Sequence, residues 1–193
     1  IIAITATFAV INLNFQRDDR QVEQVAREVY SALQYARNLA VSGKVFKDET
    51  GDGVLDVPNG YGVFFRAVLF SSDISLSQTI YGDLYTSGVP KRYDTAEKLW
   101  VSYDIKLKQS DFAVSLYFDG TFVSSLVSVG PLTFPQTIFF STPSGDITYY
   151  NSNTEVTSVT EIGIEFASIK DPAVKKRVVI NRVTGQIHIN ENP

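Results

Sequence analysis

An acidic stretch near residue 50 has the spacing of a calcium-binding loop. Oxygen-bearing side chains stand at its first, third, fifth and ninth positions, and Gly53 stands at the sixth, where such a loop turns sharply. The ligands this pattern predicts are Asp48, Thr50, Asp52, Asp56 and the backbone carbonyl of Val54. Asn59 occupies the twelfth position, where a bidentate Glu is usual. The stretch is therefore interpreted as an acidic connecting turn that binds no ion, with a weak calcium site as the alternative.

Motifs for catalysis are missing from the sequence. His188 is the single imidazole, and its alternation with Ile187 and Ile189 is typical of the outward face of a strand. The chain has no Cys, no Gly-x-Ser-x-Gly, no phosphate-binding loop and no His-Glu-x-x-His. We therefore predict a protein that is not an enzyme and that has no cofactor other than the calcium just considered. An enzyme whose carboxylates converge only in the folded chain is a weaker alternative.

The charge balance argues against binding nucleic acid through bulk charge. Lys and Arg number 17 and Asp and Glu number 21, for a net charge of −4. Proteins that bind nucleic acid by releasing counterions carry a basic face instead. The basic clusters at 91–92 and 175–177 are interpreted as solvated charges, with a nucleic-acid or partner contact as the less favoured interpretation. Nucleic acid is therefore not an expected partner.

The first 42 residues contain neither Gly nor Pro, the two strong helix breakers. Apolar residues recur there at steps of three and four, which predicts one buried stripe on a long α-helix. Gly43 is the expected C-cap, because glycine tolerates the left-handed conformation that ends helices. The stripe consists of Val22, Val25, Ala26, Val29, Leu33, Ala36 and Ala40.

Residues 1–15 carry no charge and are apolar at 11 positions. As a helix they would reach about 22 Å, short of the roughly 30 Å hydrocarbon core of a bilayer. They are therefore expected to form the distal part of a longer membrane helix, or to lie inside a bundle of identical helices. A signal peptide is the less favoured alternative. The residues expected to make these contacts are Ile1, Ile2, Ile4, Phe8, Val10, Ile11, Leu13 and Phe15.

After Val45 the pattern changes to short segments rich in β-branched and aromatic residues, which is typical of strands. Asp119-Gly120 and Thr184-Gly185 are expected hairpin turns. The sequence therefore predicts an α+β fold, in which a long helix packs by its C-terminal half on an antiparallel β-rich head. Its parts are a helix over 1–43, divided into a membrane or filament-core segment at 1–15 and an amphipathic half at 16–43, and a head over 44–193. The predicted strands are 61–69, 99–107, 112–118, 121–126, 161–167, 177–182 and 186–189.

Three parts of the chain resemble type IV pilin-like proteins, in particular minor pilins of the GspH/FimT type and type II secretion pseudopilins. The Ile-Ile-Ala-Ile start, a polar break and the Leu-x-x-Ala-Arg-x-x-Ala pattern that begins at Leu33 resemble the N-terminal helix of that family. The hairpin at 177–189 resembles its last strands, and relatives also carry an acidic Gly-Asp-Gly loop soon after the helix.

The resemblance implies a pilin-like fold and a structural subunit of a type IV pilus-like filament or a type II secretion pseudopilus. Its partners would be further copies of itself or related subunits, and the inner membrane before assembly. The expected location is a filament at the cell surface, and the family's processed, methylated N-terminus would precede Ile1. DNA-binding relatives carry Arg where Gln186 and His188 stand here, which weakens a DNA-uptake role. The alternative function is a minor or tip pilin, or a membrane-anchored module, that recognises DNA, a glycan or a protein through the head.

Overall fold

One long helix precedes a set of antiparallel strands. The computed structural model describes residues 2–45, 58–70, 73–83, 98–108, 112–125, 136–151, 154–191 and 193. Helix α1 spans Ile2–Val41. The strands that follow are β1 (Gly60–Phe70), β2 (Asp73–Gly82), β3 (Lys98–Lys108), β4 (Phe112–Phe118), β5 (Thr121–Ser125), β6 (Gln136–Ser141), β7 (Ile147–Asn151), β8 (Thr154–Glu155), β9 (Glu161–Ser168), β10 (Lys175–Asn181) and β11 (Ile187–Asn190).

Gly43 forms the C-terminal cap of helix α1. Gly43 has a φ of 58°, in the left-handed region that costs other residues energy. The amide of Lys44 donates to the Leu39 carbonyl at 3.2 Å, and the amide of Gly43 donates to the Ala40 carbonyl at 3.1 Å. These two bonds form a Schellman cap, which satisfies carbonyls that a helix terminus would otherwise leave unpaired. The predicted C-cap is confirmed.

The strands form two antiparallel sheets. The first sheet has six strands in the order β3-β2-β1-β6-β7-β8, and the second has five in the order β11-β10-β9-β4-β5. In the first sheet β1 pairs with β2 next to it in sequence and with β6, which follows much later, so that Gly60 faces Ser141. The α+β class with segregated helix and antiparallel strands is confirmed.

The seven predicted strands correspond to β1, β3, β4, β5, β9, β10 and β11, each within two residues at either end. Four strands were not predicted: β2, β6, β7 and β8. The Asp119-Gly120 turn is confirmed, with φ values of 48° and 77° that suit the tight turn between β4 and β5. Gly185, with a φ of 70°, lies in the turn between β10 and β11.

The core lies where α1 meets both sheets. The helix contacts β1, β2 and β6 of the first sheet and β9, β10 and β11 of the second. Alternate residues of β1 and β9 lie in this core, among them Tyr61 and Val63 on β1 and Ile162 and Ile164 on β9, all buried. The Tyr61 hydroxyl donates to the Lys44 carbonyl at 2.5 Å, and burial raises the pKa of Tyr61 to about 12. This bond fixes the chain onto β1 directly after the helix.

Candidate functional site: the helix and the surfaces around it

The C-terminal half of α1 is an integral part of the head. All seven residues of the predicted stripe are buried, and Ala32 and Leu39 join them. Leu33, at the centre of the stripe, is 0% exposed. Each large apolar side chain buried in this way stabilises the fold by about 1.5 to 3 kcal/mol. This half therefore serves the stability of the head and is not free for other contacts on that face.

One turn of the helix, formed by Arg17, Asp18, Asp19 and Arg20 and called the exit turn below, is largely uncovered by the head. Three of these residues are exposed and Asp18 is half-buried. Four consecutive residues of a helix point in directions that cover most of its circumference, so the head covers little of this turn on any side. The head holds this turn by a long ion pair, in which Lys176 Nζ lies 3.8 Å from Asp19 Oδ1. Since the backbone is helical from Ile2 onward, a further stretch of α1 precedes this turn.

The residues predicted to contact a membrane or filament core precede this exit turn. The backbone from Ile2 to Phe15 is helical. The side chains of Ile1, Ile2, Ile4, Phe8, Val10, Ile11, Leu13 and Phe15 lie outside the described part of the structure. No helix within the described residues is long and apolar enough to cross a membrane.

The predicted calcium ligands Asp48, Thr50, Asp52, Val54 and Asp56 also lie outside the described residues. The calcium site therefore stays a prediction. Within the described ranges, no three His, Cys, Asp or Glu side chains are placed to hold a metal ion.

His188 lies on the outer face of β11, exposed, as its alternation with isoleucines predicted. Its cross-strand partner is Val179 of β10. Ile187, on the opposite face, is buried in the core. The residue that faces the imidazole on the neighbouring strand is therefore aliphatic.

The basic cluster at 175–177 was predicted to be solvated, and for two of its residues this was wrong. Lys176 and Arg177 have side chains only 14% and 13% exposed. Lys176 pairs with Asp19 of the helix, while Arg177 Nη2 lies 2.6 Å from Glu165 Oε2. Because adjacent residues of a strand face opposite sides, β10 directs one cation towards the helix and the other towards the outer face.

Arg177 belongs to a polar cluster on the outer face of the second sheet. Its guanidinium carbon lies 3.8 Å from the centroid of the Tyr117 ring, and the Tyr117 hydroxyl donates to Glu165 Oε1 at 3.0 Å. Burial and the neighbouring Glu165 carboxylate raise the pKa of Tyr117. Gly163 makes room for this stack, since a Cβ there would lie 2.7 Å from Arg177 Cδ. A lone glycine inside a β-strand was the sequence signal for this close approach.

A second arginine joins the two sheets. Arg182 Nη1 donates to the carbonyls of Val156 at 2.7 Å and Val159 at 2.9 Å, and its Nε donates to the carbonyl of Ile147 at 3.3 Å. Ile147 begins β7 of the first sheet, and the two valines lie in the connection to β9 of the second. Sequence reasoning missed this residue, because a lone arginine near a hairpin turn carries no pattern.

The outward face of α1 borders a cavity of about 1060 Å³. Arg20, Glu23, Arg27 and Glu28 line it from the helix, and Gln78 and Ile80 line it from β2. Arg27 Nη2 lies 2.6 Å from Glu23 Oε1, an ion pair between successive helical turns. Charged groups of both signs on the helix therefore border this cavity, and one polar and one apolar residue of β2 line its other side.

No protein-family model, no curated protein and no solved structure matches the chain. Function must therefore follow from the chain's own residues and geometry.

Proposed function

We propose that this protein is a structural subunit of a type IV pilus-like filament or a type II secretion pseudopilus, that it has no catalytic activity, and that it assembles with further copies of itself or with related subunits. Before assembly, residues 1–15 would lie in the inner membrane. After assembly they would lie in the core of a filament at the cell surface. The pilin-like character of the fold is part of this proposal.

The observation that supports it is the exposure of the turn of α1 at residues 17–20. The helix continues on the far side of this turn, and the sequence there is free of charge from Ile1 to Phe15. An apolar helix that leaves its own head exposes hydrophobic surface on all sides in water. A bundle of such helices, or a bilayer, removes that surface from water.

The magnitude of this driving force is large. Burial of one large apolar side chain is favourable by about 1.5 to 3 kcal/mol, and eight of the 11 apolar residues in 1–15 are large. One buried carboxylate in such a bundle would cost several kcal/mol. Assembly should therefore respond to a single charge placed in the segment.

Replacement of Ile11 or Phe8 by Asp should abolish assembly and leave the head folded. The chain would be purified in detergent, and assembly would be started by removing the detergent. Filaments would be measured by sedimentation and negative-stain electron microscopy. Val183→Asp is the matched control, because Val183 is 79% exposed on a turn of the head and the same charge is introduced there.

We expect filaments from the parent and from Val183→Asp, and dispersed subunits with an unchanged melting temperature from Ile11→Asp. Filaments of normal length from Ile11→Asp and Phe8→Asp would contradict the proposed role of the segment.

A further inference from the structure

The outward face of α1 carries charges of both signs beside strand β2. Arg20, Arg27 and Glu28 are exposed, and the side chain of Arg27 is 66% exposed. The cavity described above follows this face and is bounded on one side by β2. The face is therefore open to a partner along more than two turns of the helix.

The floor of the cavity contains an acceptor without a donor. Gln78 is 1% exposed, and its Oε1 atom has no hydrogen-bond partner within the described structure. A buried polar atom left unpaired costs about 1 to 3 kcal/mol, so such atoms usually have a partner in the functional state. A guanidinium or ammonium group from a partner would supply the missing donor.

The order of the charges along α1 repeats with inverted sign after eight residues. Asp19-Arg20, in the exit turn, reads negative then positive, and Arg27-Glu28 reads positive then negative. Eight residues of helix correspond to about 12 Å along its axis. Two parallel copies of α1 shifted by this distance would therefore bring Asp19 to the height of Arg27 and Arg20 to the height of Glu28, and a rotation of one copy about its axis would turn these side chains towards each other.

We propose that this face is the contact between neighbouring copies of the chain. The exit turn of one copy docks on the outward face of the next, with its helix parallel and advanced by eight residues. Asp19 then joins the Glu23–Arg27 pair of the neighbour, and Arg20 meets Glu28. The inference rests on the proposed filament function and adds the surface and the stagger of its subunits.

A parallel, shifted contact suits a filament for a reason of symmetry. It joins two different patches, the exit turn and the outward face, and such heterologous contacts repeat without closing. An antiparallel pairing centred on Gln24 would also bring Arg20 to Glu28, but it would close into a two-fold dimer. The two arrangements are therefore distinguishable by the size of the covalent product they allow.

Each exposed ion pair contributes little to affinity. These charges therefore determine how neighbouring helices are aligned more than they drive assembly. Reversal of one charge should nevertheless matter, because it places like charges together at every contact of the polymer. We expect Arg20→Glu or Glu28→Arg to raise the critical concentration for assembly by about fivefold or more. The double variant Arg20→Glu/Glu28→Arg should restore the parental value within about twofold. A double variant that assembles worse than both single variants would overturn the pairing.

Cross-linking tests the stagger directly, because the chain has no cysteine of its own. The variant Arg20→Cys/Glu28→Cys would be assembled and oxidised, and the products separated without reductant. We expect a ladder of covalent multimers. The matched control is Arg20→Cys/Tyr35→Cys, in which the second cysteine lies about 10 Å farther along the helix.

The covalent products distinguish the parallel contact from its alternatives. Covalent dimers alone, or a strong dimer from Gln24→Cys, would indicate the antiparallel pairing and overturn the proposal. Parental filaments together with no ladder, or with an equal ladder from the control, would overturn the contact and leave the filament function intact. A parent chain that forms no filaments would overturn both.

Discussion

Removal of the Arg182 guanidinium should destabilise the head. The side chain donates to three carbonyls, those of Ile147, Val156 and Val159, which belong to one sheet and to the connection that leads to the other. The backbone amide of Arg182 adds a bond of 2.8 Å to the Thr160 carbonyl. The substitution Arg182→Met keeps the length of the side chain and removes its donors.

The expected loss follows from these bonds. A hydrogen bond to a charged group contributes about 1.5 to 3 kcal/mol, and the longest of the three bonds is the weakest. Because Arg182 is half-buried, water can reach part of what the substitution uncovers. We therefore expect a loss of about 3 kcal/mol in the free energy of unfolding. For a domain of this size that corresponds to a fall in melting temperature of about 6 to 12 °C.

The assay is urea unfolding followed by far-ultraviolet circular dichroism, with a thermal melt as a second measure. Arg182→Lys keeps the charge but presents a single ammonium group, so it should lose about half as much. Val183→Ser is the matched control on the neighbouring, exposed residue and should change stability by no more than about 0.5 kcal/mol.

A loss below about 1 kcal/mol in Arg182→Met would refute the reasoning, because it would mean that water replaces the guanidinium at all three carbonyls. Equal losses in the Met and Lys variants would contradict the expectation that an ammonium charge replaces about half of the guanidinium's contribution. In that case the planar, branched donor set, and not the positive charge, would carry the stability.

Three further predictions concern the helix, the outer face and pH. Leu33→Ala should cost about 2 to 5 kcal/mol in urea unfolding, because Leu33 is 0% exposed in the core, whereas the exposed Ser31→Ala should be nearly neutral. Gly163→Ala should cost about 1 to 3 kcal/mol, since its Cβ would lie 2.7 Å from Arg177 Cδ and 3.3 Å from Tyr117 Cβ; an unchanged melt would contradict the close packing. The Thr160 hydroxyl, followed by the Glu161 amide, lowers the pKa of Asp119 from 3.8, so its carboxylate stabilises the fold above about pH 4 and loses that effect as pH falls further. Melting curves should therefore show Asp119→Asn less stable than the parent at pH 6, with the difference shrinking below pH 4; a constant difference would contradict this.

Local features of the chain were predictable because neighbouring residues determine them. The apolar spacing from Val22 to Ala40 and the absence of Gly and Pro before Gly43 suffice for a long helix, a buried stripe and a cap. The Asp119-Gly120 pair suffices for a tight turn because both residues tolerate positive φ. Strands such as β4 and β9 were recognisable from their β-branched and aromatic residues.

Strand β6 was missed for a physical reason. One of its two partners, β1, lies far away along the chain, as in the pairing of Gly60 with Ser141. β-Propensity measures the fit to such partners more than a preference of the backbone itself. The division into two sheets, both packed on one helix, is a property of these distant pairings.

The sequence by itself determined the helix, its apolar start, its charged exit turn and the absence of familiar catalytic motifs. Only the tertiary structure decided which charges are paired. Lys176 and Arg177 looked like solvated cations, yet each has its carboxylate partner on another element, on α1 and on β9. Arg182 likewise acquires its role from carbonyls at least 23 residues away along the chain. A side chain's type fixes what it can donate or accept, but folding determines which groups come within about 3 Å of it.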